Sequence, residues 1–320
     1  MAIRHADSPT PTQMSDLKLF RIQAGQAVEI EGKSVGLEKS LQQLIEQHLE
    51  AFVGVTFLAT EYSTGVKHGG RIDTLGIDEN GCPVIVEYKR SLNENVMNQG
   101  LYYLDWLMDH KGEFELLVQR KLGAKQAEAI EWSTPRLLCI AGEFTKYDAY
   151  AVQQINRNIE LIRYRKYGDD LILFELVNAT EAVSAPAAAP VARTKSTKSE
   201  SNYKTFSEYL AQSSPELRDR FEALGAFAGA LGDDVQFKTL RYYGAFKRLK
   251  NFCCVEAHPR TNNLLLFVKV DPTAIQLEEG FTRDVRKIGH FGTGDLEITV
   301  RSMADLERAK PLIAQSYEAS

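Results

Sequence analysis

The stretch from Gly70 to Tyr103, GRIDTLGIDENGCPVIVEYKRSLNENVMNQGLYY, constrains the fold most strongly, because it predicts a β-hairpin followed by a helix. Two apolar arms, residues 71–77 and 83–89, flank the segment Glu79-Asn80-Gly81. A three-residue loop that ends in glycine is typical of a type I turn with a glycine bulge, since glycine adopts the left-handed conformation without steric cost. The pattern therefore predicts a tight hairpin with an odd number of loop residues.

The predicted loop determines which residues of the two arms lie opposite each other. Counting outwards from a pair formed by Asp78 and Cys82, Asp73 lies opposite Glu87, and paired residues share one face of the sheet. Lys89 joins them, because alternate residues of a strand point the same way. A two- or four-residue loop would place Asp73 and Glu87 on opposite faces, so the site prediction depends on this loop.

Two carboxylates and an ammonium group on one sheet face indicate metal-dependent hydrolysis of a phosphodiester. Mg²⁺ prefers oxygen ligands and usually keeps several waters, so Asp73 and Glu87, with Glu38 as a further ligand, suffice to hold it. The bound ion lowers the pKa of a water molecule and polarises the phosphate. Lys89 is placed to hold the attacking water or to stabilise the charge of the transition state.

The alternative interpretation is a solvated cross-strand ion pair between Glu87 and Lys89. An isolated Glu-x-Lys tripeptide is common, and taken alone it favours this alternative. The run Val84-Ile85-Val86 argues against it, because a continuous apolar run is typical of a central strand covered on both faces. Asp73 at the matching register position argues in the same direction.

The segments on either side of the hairpin have helical spacing. Residues 37–52 carry apolar side chains at intervals of three and four, which predicts a helix before the hairpin. At 100° per residue, Glu38 lies at the edge of the apolar stripe of this helix, whereas Glu46 and Glu50 lie on its polar face. Glu38 is therefore the glutamate of this helix predicted to reach the site.

Residues 93–109 predict the helix that follows the hairpin. Gln99 and Tyr103 are four residues apart and so are neighbours on its surface. Beyond this helix the pattern predicts a strand at 114–118, a helix at 121–131 and a strand at 136–141.

In combination, Asp73, Glu87-Tyr88-Lys89 and Gln99-Gly-Leu-Tyr-Tyr103 resemble the PD-(D/E)XK phosphodiesterase superfamily, most closely its NucS-like and RecB-like nuclease branches. In that superfamily an Asp precedes a Glu-x-Lys by one hairpin, and a helix with a Gln-x-x-x-Tyr motif follows. Glu38 matches the acidic residue that the superfamily places early in the preceding helix. Gly70-Arg71-Ile72 departs from the pattern, because a proline often precedes the Asp there.

The resemblance implies an α/β fold for the N-terminal part, with a restriction-endonuclease-like αβββαβ core and a mixed sheet flanked by helices. It implies that Mg²⁺ or Mn²⁺ is held by Asp73, Glu87 and Glu38. The implied catalytic set is Glu38, Asp73, Glu87, Lys89, Gln99 and Tyr103, where Gln99 orients the site and Tyr103 is either a core aromatic or a substrate contact. The first 36 residues leave no room for a separate DNA-binding domain of the NucS type, which argues against mismatch-specific cleavage.

Lys67, Arg71 and Arg90 flank the predicted site, and each either contacts phosphate groups of a nucleic acid or is a solvated charge. DNA is the expected partner, with RNA as the alternative. Related nucleases often act as dimers, so the resemblance is also compatible with a homodimer.

Composition and low-complexity stretches predict two domains in this chain of 320 residues. Residues 1–13 are predicted to be disordered, and residues 14–178 to form the nuclease-like domain. Residues 179–203, rich in Ala, Pro, Ser and Lys, are typical of a flexible linker, and residues 204–320 predict a smaller α+β domain.

Bulk properties favour a soluble, cytoplasmic protein. No apolar run of transmembrane length and no signal peptide are recognisable, and the four cysteines lack the spacing of a zinc site. The formal net charge of −5 argues against unspecific coating of nucleic acid.

The C-terminal part resembles a module of unknown function that is found behind such nuclease domains in bacteria, on residues 285–298 and 305–313. Its segment Lys238–Lys250 mixes basic and aromatic residues, which can track a phosphate backbone and stack bases. The alternative, which the pattern favours somewhat, is a half-buried strand pair with its Lys and Arg side chains facing solvent.

The sequence thus predicts a Mg²⁺-dependent deoxyribonuclease, an endonuclease or exonuclease of DNA repair or of defence against foreign DNA. The alternative is a catalytically inactive nuclease-fold module that binds nucleic acid or protein. The intact set of Asp73, Glu87 and Lys89 favours the enzyme, because a pure scaffold has no physical need for a costly cluster of carboxylates.

Overall fold

A computed structural model describes residues 17–33, 39–89, 96–180 and 204–320 of the chain. The predicted disordered segment 1–13 and most of the predicted linker lie outside these residues. The last strand before the linker runs through Ala179 and Thr180, the first two residues assigned to the linker.

The N-terminal part consists of strands and helices in mixed order. Its elements are β1 (Leu19–Gln23), β2 (Gln26–Ile30), β3 (Gly32–Lys33), α1 (Lys39–Gln47), α2 (Leu49–Val53), β4 (Val55–Ser63), α3 (Gly65–His68), β5 (Arg71–Asp78), β6 (Pro83–Lys89), α4 (Val96–Asp109), α5 (Lys111–Leu122), α6 (Ala124–Glu128), β7 (Arg136–Ala141), α7 (Lys146–Gln153), β8 (Asn158–Tyr167) and β9 (Leu171–Thr180).

Seven of these strands form one mixed sheet in the order β3-β8-β7-β6-β5-β4, with β9 paired to β8. Strands β6, β7 and β8 run parallel, whereas β4, β5 and β6 are antiparallel. Val84, Ile85 and Val86 of β6 are fully buried, since helices cover both faces of the sheet. The mixed α/β architecture with helices on both sides of the sheet agrees with the prediction.

Three predicted elements differ from the structure. The helix predicted at 121–131 is interrupted at Gly123, since α5 ends at Leu122 and α6 spans only Ala124–Glu128. The strand predicted at 114–118 is wrong, because these residues belong to α5. Phe114 and Val118 are four residues apart and both enter the core, which suits one face of a helix, while Leu116 between them is exposed. The single helix predicted at 37–52 is divided at His48 into α1 and α2.

The C-terminal part packs three helices on an antiparallel sheet of six strands, in the order β10-β11-β12-β13-β15-β14. Its elements are α8 (Phe206–Ala211), α9 (Pro215–Gly229), β10 (Gln236–Thr239), β11 (Gly244–Lys247), β12 (Asn251–His258), β13 (Asn263–Val268), a 3-10 turn (Pro272–Ala274), β14 (Thr282–Asp284), β15 (Leu296–Val300) and α10 (Met303–Glu318).

All four cysteines are buried free thiols. Within the described ranges, no helix is long and apolar enough to cross a membrane.

Five charged side chains are buried together where the two sheets meet. Arg136 donates from Nη1 to Asp78 Oδ2 (2.9 Å) and from Nε and Nη2 to the two carboxylate oxygens of Glu160 (2.8 Å each). Two lysines of the C-terminal sheet complete the group. Lys247 Nζ lies 3.1 Å from Glu160 Oε1, and Lys238 Nζ lies 3.9 Å from Asp78 Oδ2. We call these five residues the interdomain charge cluster.

Acid is expected to destabilise the protein through this cluster. Burial opposes ionisation of Glu160, but Arg136 and Lys247 outweigh it and lower the pKa of this carboxyl from 4.5 to about 2. Such a group stabilises the fold above pH 4.5 and loses this contribution as the pH falls towards 2. Lys238 and Arg136 also lower the pKa of the Asp78 carboxyl, so its contribution to stability is likewise lost as the pH falls.

We therefore expect the urea midpoint of unfolding to fall between pH 4.5 and 2, and the fall to be smaller in Glu160→Gln. Glu222→Gln, at an exposed position of α9, serves as the matched control and should follow the wild type. Equal pH dependence in Glu160→Gln and wild type would contradict the assignment.

Candidate active site on the central hairpin

The turn between β5 and β6 has the predicted form. The Asp78 N–H donates to Cys82 O and the Gly81 N–H to Asp78 O, each at 2.9 Å, and Gly81 has a φ of +79°. The Asp78 carboxylate also caps the turn, because its Oδ1 accepts from the N–H groups of Asn80 and Cys82 at 2.9 Å. A three-residue loop with a left-handed glycine therefore closes the hairpin.

The register predicted for the hairpin is confirmed. The backbone pairs run from Ile77 with Pro83 outwards to Thr74 with Val86. The next position on each strand holds Asp73 and Glu87, which the same count places opposite each other.

At this position the two carboxylates bind main-chain N–H groups of the facing strands. Glu87 Oε1 accepts from the Asp73 N–H at 3.1 Å, and Asp73 Oδ2 accepts from the Tyr88 N–H at 3.0 Å. Each acid thus orients the other strand, and the two carboxylates are neighbours at the open end of the hairpin.

The two acids face the side of the sheet that α4 covers. Leu75 and Ile85 pack in one cluster with α4, whereas Val86 and Tyr88 pack with α1 in another. Because side chains alternate along a strand, Asp73 shares its face with Leu75, and Glu87 shares its face with Ile85.

The environment disfavours two negative charges in the absence of a cation. Glu87 is 1% exposed, and burial, followed by the neighbouring Asp73 carboxylate and then by Glu61, raises its pKa to about 9. The donor set consists of hard carboxylate oxygens, which suit Mg²⁺ or Mn²⁺. Asp73 and Glu87 therefore fit a divalent cation by their chemistry and by their closeness.

Within the described residues, no group of three or more His, Cys, Asp and Glu side chains is arranged to hold a metal ion. Two carboxylates are nevertheless a common protein contribution to a Mg²⁺ site, because water completes the octahedral shell.

Gln99 and Tyr103 connect α4 to the beginning of β5. The Tyr103 hydroxyl accepts from the Arg71 N–H at 3.1 Å and from Gln99 Nε2 at 3.3 Å. Tyr103 is 5% exposed and packs in the core. Both side chains therefore act on the strand two residues before Asp73.

The tyrosine ring reaches β5 because residue 70 has no side chain. A Cβ at Gly70 would lie 2.6 Å from Tyr103 Cε1 and 2.8 Å from its hydroxyl oxygen. We expect Gly70→Ala to lower the free energy of unfolding by about 1–3 kcal/mol, the usual effect of overpacking. Gly112→Ala is the matched control, since nothing lies within 4 Å of that Cβ. Equal urea midpoints of the two variants would contradict this role of Gly70.

Several of the predicted site residues lie wholly or partly outside the part of the chain that the structure describes. Glu38 and Arg90 lie outside the described residues. Lys89 is the last residue of β6 and Lys67 lies in α3, and the description of both stops at the backbone. Arg71 is described fully, and its Nε lies 3.3 Å from Glu61 Oε2, with 68% of its side chain exposed.

Glu61 is a residue that sequence reasoning missed. It lies in β4 between the pairs Thr60–Thr74 and Tyr62–Ile72, at the level of Asp73, and contributes to the raised pKa of Glu87. Its φ of +48° is left-handed, a conformation that costs a non-glycine residue on the order of 1–3 kcal/mol and is concentrated at functional sites. The available signal was a single acidic residue in an otherwise acid-free strand, VTFLATEYS.

The placement predicted for Glu46 on a polar helix face is wrong. Glu46 is half-buried, and its Oε1 accepts from Thr74 Oγ1 (2.6 Å), Thr60 Oγ1 (2.9 Å) and Gln42 Nε2 (3.1 Å). The helical angle alone did not reveal the hydroxyl groups that the sheet presents to this position. Thr74 shares the α1 side of the sheet with Val86, so Glu46 lies across the sheet from Asp73.

Comparison with known proteins gives a family match for the C-terminal part, a protein of similar sequence and a weak likeness to a solved structure. Residues 206–320 match the family described as "Domain of unknown function (DUF5655)". An "Uncharacterized protein" of Haemophilus influenzae (strain ATCC 51907 / DSM 11121 / KW20 / Rd) is 28% identical over 309 residues, which cover 94% of this chain and 100% of that protein.

A solved structure, "Structure of EndoMS-dsDNA2 complex", is 20% identical and matches 42% of this chain with a TM-score of 0.25. The match spans 47% of that solved chain, less than half its length. Overlap at this level does not establish a common fold, so the functional assignment depends on the geometry of the hairpin.

Proposed function

We propose that this chain is a metal-dependent phosphodiesterase that hydrolyses DNA, with Mg²⁺ or Mn²⁺ held by Asp73 and Glu87. The observation that supports it most is the pair of adjacent carboxylates at the open end of the hairpin, each bound to the opposite strand's main chain. Burial of Glu87 beside a second acid costs folding free energy, which a bound cation offsets.

When bound, the ion polarises the phosphate and lowers the pKa of a water molecule. Asp73 and Glu87 are held in place for the ion by the Tyr88 and Asp73 N–H groups. Lys89 is proposed to stabilise, through its ammonium group, the charge that develops on the phosphoryl oxygens. Glu38 is proposed as a further ligand.

Gln99 and Tyr103 are proposed as positioning residues. Their hydrogen bonds hold the Arg71 N–H and so the beginning of β5, which carries Asp73 two residues later. Tyr103 is too buried to serve as a broad contact for substrate. Its effect on the reaction is therefore exerted through the strand.

Lys67, Arg71 and Arg90 are proposed to contact phosphate groups of the substrate. Arg71 is the one of the three with a described side chain, and its ion pair with Glu61 is exposed. Exposed pairs contribute about 0–1 kcal/mol, so a phosphate group competes for this guanidinium at little cost.

The test is a cleavage panel with the full chain. Single-stranded, duplex, flapped and mismatched DNA and single-stranded RNA are each incubated with Mg²⁺, Mn²⁺ or EDTA. We expect cleavage of at least one DNA substrate with Mg²⁺ or Mn²⁺ and none with EDTA. If only RNA is cleaved, the assignment of DNA as the substrate is wrong. If no nucleic acid in the panel is cleaved in a metal-dependent way, the proposal is refuted.

A further inference from the structure

The C-terminal domain contacts the turn of the hairpin that carries the two carboxylates. Asn80 Oδ1 accepts from the Tyr243 hydroxyl at 2.8 Å and from Asn251 Nδ2 at 2.7 Å. Lys269 Nζ lies 2.8 Å from Glu79 Oε2. Two of the three loop residues thus bind side chains of the other domain.

The interdomain charge cluster reaches the same turn. Asp78 caps the turn with one carboxylate oxygen and binds Arg136 with the other. Lys238 Nζ lies 3.9 Å from that second oxygen and donates to Cys82 Sγ at 3.7 Å and to Thr134 O at 3.4 Å. Both ends of the loop are therefore held from the C-terminal domain as well as from within the hairpin.

The cluster is incomplete without the C-terminal domain. The N-terminal domain contributes two buried carboxylates, Asp78 and Glu160, but a single cation, Arg136. Lys238 and Lys247, with 7% and 3% of their side chains exposed, add two further cations beside these carboxylates. Burying a carboxylate is tolerated when charge and hydrogen bonds compensate it, so docking of the lysines supports the conformation in which Asp78 caps the turn.

This arrangement also corrects the interpretation of the basic and aromatic segment at 238–250. Lys238 and Lys247 neither track a nucleic acid nor face solvent, because both are buried at the domain contact. Tyr243 is buried as well and bonds to Asn80. Lys238, Tyr243 and Lys247 therefore belong to a docking surface within the chain, whereas Arg241 is exposed and Arg248 pairs with Asp234 of the same domain.

We propose that the C-terminal domain is a clamp on the hairpin, and that Lys238, Tyr243, Lys247 and Asn251 are positioning residues for the Asp73–Glu87 pair. The turn conformation sets the register, and four backbone pairs transmit it from the turn to the carboxylates. A shift by one residue would move one acid to the other face of the sheet. The effect on cleavage rests on the proposed function, whereas the effect on the hairpin does not.

The experiment compares the full chain with the double variant Tyr243→Phe/Asn251→Ser, which removes both hydrogen bonds to Asn80. Lys247→Met is a second, independent variant, with Lys247→Arg as its conservative rescue. Tyr209→Phe, in α8, is the control for loss of a tyrosine hydroxyl in the same domain. Amide hydrogen exchange is followed by mass spectrometry in the hairpin, residues 71–89, and in β13 of the C-terminal sheet.

We expect faster exchange in the hairpin, on the order of tenfold at the amides of the turn, residues 79–82, with β13 unchanged. Opening of the turn requires only its own contacts to break, whereas β5 and β6 stay paired with β4 and β7. kcat for DNA should fall on a similar scale with KM nearly constant, and Lys247→Arg should recover both. Unchanged hairpin exchange in the double variant and in Lys247→Met would overturn the clamp, as would equal acceleration in β13. The wild type could cleave no nucleic acid while the variants still exchange faster in the hairpin. That result would support the clamp and refute the proposed nuclease function.

Discussion

Glu87→Gln and Asp73→Asn are each expected to lower the rate of Mg²⁺-dependent DNA cleavage by on the order of 10²–10³-fold, the scale seen when one preorganised electrostatic contact is removed. The amides are nearly isosteric with the acids, so the hydrogen bonds to the Asp73 and Tyr88 N–H groups persist through the amide oxygen. What is lost is the negative charge that is proposed to hold a divalent cation. Cleavage rates at saturating Mg²⁺ are the measurement.

The matched controls are Glu115→Gln and Asp105→Asn, the same chemical changes at exposed positions of α5 and α4. Both should cleave at the wild-type rate. Metal binding followed by isothermal calorimetry gives a readout that does not depend on turnover, and both site variants should lose it. Full activity in Glu87→Gln and Asp73→Asn would refute the assignment of the site.

Arg136→Met is expected to lower the free energy of unfolding by about 3–5 kcal/mol, because it leaves the buried carboxylates of Asp78 and Glu160 without their principal partner. Arg136 is 3% exposed and donates three hydrogen bonds to these two acids, so water cannot replace it readily. The methionine fills much of the volume, and therefore the loss reports charge rather than a cavity. Urea unfolding at neutral pH is the measurement.

Arg157→Met at an exposed position is the control and should change the free energy of unfolding by less than about 0.5 kcal/mol. A loss below about 1 kcal/mol in Arg136→Met would show that the cluster contributes little to stability. The same result would weaken the argument that the lysines of the C-terminal domain are needed to balance it.

The hairpin could be predicted from sequence because its information is local. A glycine three residues into the loop selects the turn, the turn selects the register, and the register pairs Thr74 with Val86 as counted. The buried run Val84-Ile85-Val86 identified the central strand for a similar reason, since few other elements place three consecutive apolar residues in a core.

Prediction failed where the same residues fitted both the strand and the helix periodicity, or where a residue distant in sequence decided the surroundings of a side chain. Residues 114–118 contain enough apolar side chains for a strand, and only packing of Phe114 and Val118 into one core selects the helix. The helical angle places Glu46 on the polar face of its helix. In the structure its carboxylate accepts hydrogen bonds from Thr60 of β4 and Thr74 of β5.

The sequence by itself determined the hairpin, its three-residue turn and the facing positions of Asp73 and Glu87, because bond geometry and strand alternation act over a few residues. The tertiary structure alone decided that the turn is held by Tyr243 and Asn251 and that Lys247 is buried against Glu160. These contacts join residues more than eighty positions apart, and burial, which gives such charges their energetic weight, exists only once the two domains have packed together.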